Sequence, residues 1–175
     1  MSARLRAVPE LESKPRTRVW WPWLIGLPTV ALGLQMLLST LEPALALLNL
    51  TFVATFNLML WCRSAASAML LGALIGCMHD GLTHGPVGLY GIVYTISGYL
   101  AVRFGQYFWH RHALDLGLLF AAAYATHEFV YGLARSLLAS GGWETNLALG
   151  FVLTVLHAGA GLFVFTMLSK ADWKP

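Results

Sequence analysis

The hydrophobic positions fall into six runs, at 24–41, 44–61, 65–79, 87–109, 113–139 and 147–168, divided by short polar breaks. None of these runs alternates every second residue as a barrel strand does, so each predicts a helix. The first run holds 18 residues, which at about 1.5 Å per residue covers most of a hydrocarbon core about 30 Å thick. The breaks carry residues that end helices: Glu42-Pro43, Arg63-Ser64, a stretch with Asp80, Gly81, His84, Gly85 and Pro86, the basic cluster His110-Arg111-His112, and Gly141-Gly142. The pattern predicts an all-α integral membrane protein with six transmembrane helices in a compact bundle. Residues 1–19 form a basic N-terminal tail, 20–169 the transmembrane domain and 170–175 a C-terminal tail. Trp20, Trp21 and Trp23 open the first run, where indole rings suit the headgroup level. A cleaved signal peptide is the rival reading of this run, since Ala44-Leu45-Ala46 resembles a cleavage site. The run exceeds the usual signal core and leads straight into a second one, which favours a retained span.

Composition agrees with the pattern. Of 175 residues, 58% are hydrophobic and 11% charged, whereas soluble domains carry about 25% charge. A water-soluble globule, a disordered chain and a disulfide-stapled module are excluded. The net charge of +3 does not point to nucleic acid, because it is an orientation signal. With the N-terminus inside, ten of the eleven Lys and Arg residues fall on inner segments: five in the tail, then Arg63, Arg103, Arg111, Lys170 and Lys174. The eleventh, Arg135, lies near the outer end of the fifth run, within snorkelling reach of the interface. Glu42, Asp80 and Glu144 lie outside. This asymmetry predicts a multi-pass protein of the cytoplasmic membrane with both termini cytoplasmic. Cys62 and Cys77 form neither a pairing framework nor a metal motif.

Polar side chains within the runs are few: Gln35, Asn57, His127, Glu128 and His157. Each is expensive in lipid and needs a partner or a role. Tyr124, Glu128, Tyr131 and Arg135 recur at helical spacing and line one face. That face is either a ligand or proton site around Glu128, or a buried cluster that fixes packing. His127 and His157 either bond between helices or hold a haem or metal, and His79-Asp80 with His84 either shapes a loop or binds zinc without an evident fourth ligand. No nucleophile elbow, phosphate loop or metalloprotease motif is present, so the chain reads as a non-enzyme without a cofactor. Gly72 and Gly76 make a Gly-x-x-x-Gly step, and Gly159 and Gly161 lie in a second small patch. Such surfaces let helices approach closely, inside the bundle or against another protein. Asp80, at the end of its helix, is placed to accept hydrogen bonds from loop amides near the start of the next.

Residues 71–104, LGALIGCMHDGLTHGPVGLYGIVYTISGYLAVRF, resemble the MreD family of bacterial rod shape-determining membrane proteins. The shared pattern is a small-residue helix ending in Asp80, a short loop with Gly85 and Pro86, then Gly88-Leu89 and Tyr99-Leu100. The resemblance implies a non-catalytic scaffold of the cell-elongation machinery that binds MreC. Through MreC it would join the MreB filament, the glycosyltransferase RodA and a class B penicillin-binding transpeptidase. It also implies the six-helix fold of the substrate-binding subunits of energy-coupling-factor transporters, which supplies the alternative function of vitamin capture. Asp80, Gly85, Pro86, Gly88 and Tyr99 are then the candidate motif and partner-contact residues.

Overall fold

The computed structural model describes residues 21–42, 47–62, 64–83, 86–108, 113–138 and 147–170. Among them are six helices and no strand: α1 Trp21–Leu41, α2 Leu50–Trp61, α3 Ala65–Thr83, α4 Leu89–Phe108, α5 Ala113–Leu138 and α6 Leu147–Lys170. The expected N-terminal tail, residues 1–19, lies outside the described residues, as do Trp20, Pro43, Arg63, the 110–112 cluster and Gly141-Gly142; of the expected C-terminal tail, 170–175, Lys170 belongs to α6 and the rest lies outside them.

Two boundaries differ from the sequence expectation. Helix α2 starts at Leu50 and not at residue 44, because the Asn49 side chain accepts a hydrogen bond from the Phe52 N–H at 2.9 Å. A side-chain oxygen there satisfies an amide that a new helix leaves unpaired. Its 12 residues reach only about 18 Å. Helix α3 continues past His79 to Thr83, so Asp80 and Gly81 are helical and not in a loop. Asp80 is 1% exposed, and its burial within the helix places the carboxylate against the start of α4.

Helix α2 occupies the centre, with every residue from Thr51 to Leu60 buried. It packs against α1, α3, α4 and α6, while α4 also contacts α3 and α5, and α5 contacts α6. Partner pairs give the directions. Along α3 and α4, Gly72 faces Tyr94, Gly76 faces Tyr90 and Ala68 faces Gly98, an antiparallel register. Asn49 meets His157, and Trp61 stacks on Phe165 with centroids 6.0 Å apart, so α2 and α6 run parallel. At Gly72, an added Cβ would strike the Tyr94 carbonyl, and at Gly76 the Tyr90 carbonyl. The Gly-x-x-x-Gly step is therefore consumed within the α3–α4 hairpin, where missing side chains let two backbones touch.

Polarity runs from inside to outside. Gln35, Asn49, Thr51, Thr55, Asn57, His79, Asp80, Ser97, His127 and His157 are buried. Apolar stripes are exposed on α1 (Val30, Leu34, Leu37, Leu41), α3 (Leu70, Leu74, Met78, Leu82), α5 (Leu114, Leu118, Phe129, Leu133) and α6 (Val152, Val155, Leu156, Phe163). The segments Ala65–Thr83 and Leu147–Ser169 are each long and apolar enough to cross a membrane.

Candidate functional site

The buried polar groups converge on Asn49, at the start of the central helix. Its backbone N–H donates to His157 Nε2 at 2.8 Å. Its side-chain Oδ1 accepts from Phe52 N–H and from the Tyr94 hydroxyl at 3.1 Å. That assignment leaves Nδ2 as the donor to His127 Nε2, 3.2 Å away. Gln35 from α1 caps the same helix start, its Oε1 accepting from the Thr51 N–H at 3.1 Å and hydroxyl at 2.9 Å.

This network sets the ring protons. His157 Nδ1 lies 2.7 Å from the Leu153 carbonyl, which can only accept, so Nδ1 carries the proton and Nε2 offers a lone pair to Asn49. Tyr94 gives its proton to Asn49, so the His79 Nδ1–H donates to the Tyr94 oxygen at 3.2 Å. His127 accepts at Nε2, which makes Nδ1 its protonated nitrogen. That N–H is buried and without a partner. Rings fill the remaining space. His79 stacks on Tyr90 with centroids 3.9 Å apart, His157 on Tyr124 at 3.8 Å, and Phe52 meets His127 edge-on at 4.7 Å.

The hub joins α1 through α6 at one end of the bundle. The histidines act as hydrogen-bonding ties between helices: His127 and His157 both engage Asn49 through Nε2. Among the described residues no group of three or more His, Cys, Asp or Glu side chains is placed to hold a metal ion. His84 lies outside the described residues.

The turn into α4 sits beside this hub. Asp80 Oδ2 accepts from Gly88 N–H at 2.9 Å and Gly91 N–H at 3.3 Å, and Oδ1 from Tyr90 N–H at 3.0 Å. A carboxylate at a helix start satisfies free amides and faces the positive end of the helix dipole. Gly88 has φ +94°, a left-handed conformation that side chains resist. The Pro86 carbonyl accepts from Leu89 N–H at 3.2 Å. Gly85 lies outside the described residues. Tyr99 is 47% exposed, one helical turn from Ile96 on the outward face of α4 and apart from the hub.

The α5 face divides. Tyr124 is buried with its hydroxyl near Glu128, and Tyr131 is half-buried with its ring 4.9 Å from that of Tyr90. Glu128 and Arg135 are exposed. The two glycines of α6 divide as well. An added Cβ at Gly161 would strike the Phe120 ring, whereas Gly159 has open space around it on the exposed side.

Sequence reasoning missed Asn49, Thr51 and Tyr94. A signal for the first existed: an Asn directly before an apolar run, here Leu50 onward, is a helix N-cap candidate. Nothing local marks Tyr94, whose partners lie 45 and 15 residues away. No family profile, curated protein or solved structure matches the chain.

Proposed function

We propose that the chain is a six-span protein of the bacterial cytoplasmic membrane with both termini inside, serving as a non-catalytic scaffold of the cell-elongation complex in the manner of MreD. MreC is its direct partner, and RodA, a class B penicillin-binding transpeptidase and, through MreC, MreB complete the assembly. The observation that carries this reading is the build of the α3–α4 hairpin. The residues that bear the MreD resemblance include those with a stringent geometric duty: Asp80 capping α4, and Gly88 at φ +94°. A turn held this firmly presents a fixed rim to a partner. The membrane setting is supported by apolar stripes that face outward while amides and imidazoles face inward, the reverse of the arrangement water selects.

The test is a gentle-detergent pull-down of the full chain from native membranes with mass spectrometry of everything retained. Recovery of an MreC-like single-span protein with a glycosyltransferase and a transpeptidase is the expected result. Recovery of a transmembrane coupling subunit with paired ATPases would replace it with the second reading, a substrate-binding subunit of an energy-coupling-factor vitamin transporter. One observation favours that alternative: the unpartnered His127 N–H among the Tyr90, Tyr124 and Tyr131 rings, a donor free for a small solute. Saturable vitamin binding by the purified protein would support it.

A further inference from the structure

Glu128 breaks the pattern of the lipid-facing surface. It is exposed on α5 beside Ala125 and Phe129, themselves exposed. It stands ten residues before the end of α5 at Leu138, roughly 15 Å along the axis. That depth is beyond the reach of a glutamate side chain to the headgroups. Among the described residues the donor nearest to it is the Tyr124 hydroxyl, at most one for a group with about four acceptor sites. Arg135 is exposed on the same flank two turns on, about 10 Å away along the helix and close enough to the helix end to reach the interface.

We propose that this flank of α5 is the docking face for a transmembrane helix of another protein, bearing a Lys or Arg level with Glu128. The proposal rests on the membrane reading above. The occupant is fixed by charge complementarity and depth. A second copy of the chain does not serve, because copies in one membrane share an orientation and a two-fold axis along the membrane normal sets Glu128 level with Glu128. A lipid headgroup lies too far out. A basic side chain on a neighbouring helix supplies the donors that the carboxylate lacks, and an ion pair formed away from water is strong enough to choose a partner. Ala122 and Ala125 beside it are exposed and small, which allows close helix approach.

The experiment uses the full chain in native membranes, with photoreactive benzoylphenylalanine at Ala125 and, as a control, at Leu74 on α3. Retention through an alkaline carbonate wash is scored before irradiation, so failure of the membrane reading is seen separately. The expected adduct forms from position 125 and not 74. Its peptide maps to a membrane-spanning segment with Lys or Arg within one turn of the crosslinked residue. It falls at least tenfold in Glu128→Lys and returns when the partner's basic residue is changed to Glu. Glu128→Gln, a near-isosteric change, gives a smaller loss and carries the test if the lysine variant fails to accumulate. An adduct with lipid only, with a second copy, or with a segment lacking a basic residue overturns the proposal. So does an adduct indifferent to both substitutions, or none.

Discussion

Asn49→Ala removes the side chain at the centre of the hub while leaving the backbone bond to His157 in place. Three bonds disappear: the cap on Phe52, the acceptor for Tyr94 and the donor to His127. Loss of a helix cap costs about 1 kcal/mol. A buried polar group left unpaired costs about 1–3 kcal/mol, and hydrogen bonds within membrane bundles average about 0.6 kcal/mol, so Tyr94 and His127 together contribute about 2 kcal/mol. The expected destabilisation is about 3 kcal/mol. It is measured by unfolding the purified protein in mixed micelles with increasing dodecyl sulfate, followed by tryptophan fluorescence. Asn57→Leu is the internal control. Asn57 lies two turns further along α2, with its Oδ1 already unpaired and Nδ2 bonded to the carbonyls of Val53 and Gly161, so its replacement is expected to cost under about 1 kcal/mol. In the pair Asn49→Ala and His127→Leu, the double variant is expected to fall short of the sum by about 1 kcal/mol. A loss below about 1 kcal/mol for Asn49→Ala, or equal losses at both asparagines, would refute the hub as the tie among the helices.

Gly76→Val should destabilise by about 3 kcal/mol or prevent assembly of the hairpin, since its Cβ meets the Tyr90 backbone, whereas Gly81→Ala, with nothing within 4 Å, should be neutral in the same unfolding assay. Gly88→Leu should cost about 1–3 kcal/mol through strain alone, with Gly88→Asn the milder variant. Partner capture is expected to fall while membrane insertion persists, and undiminished capture by a well-expressed Gly88→Leu protein would count against a role for the turn. Asp80→Ala strips three amides of their acceptor and should cost about 2–4 kcal/mol in the unfolding assay, with Asp80→Asn losing less. Cys77, exposed on α3, should resist a membrane-impermeant maleimide in intact membranes and react after detergent addition, in a Cys62→Ala background. Labelling in intact membranes would contradict the lipid-facing assignment of that surface.

Hydropathy marked the helices well because burial in lipid or in a bundle demands the same long apolar runs. The ends of α1, α4, α5 and α6 accordingly lie within a few residues of expectation. It failed at α2, where capping by Asn49 sets the start, and at α3, which runs on through Asp80 because the amides at the start of α4 satisfy its buried carboxylate. The Asp80 turn was legible from local chemistry: an acid at a helix end and glycines before the next helix are a short-range pattern. Gly72 and Gly76 were legible as a packing surface, but their partner was not, since the spacing of small residues carries no address. The Asn49 hub was hidden because its members come from six helices, and each alone reads as an isolated polar residue in an apolar stretch.

On the six-span membrane reading proposed above, helix α2 has a consequence for biogenesis. A segment of 12 residues that begins at a polar cap is a poor substrate for independent release from a translocon into lipid, which asks for about 20 apolar residues. Its polar start is satisfied by Gln35, made before it, and by Tyr94, His127 and His157, made after it. The ribosome therefore finishes α2 long before its last partner, His157, exists. Until then the Asn49 N–H lacks its acceptor, and the packing around α2 is complete only when the sixth helix is in place. A chain truncated before α6 would leave one side of α2 uncovered and the Asn49 N–H without its acceptor.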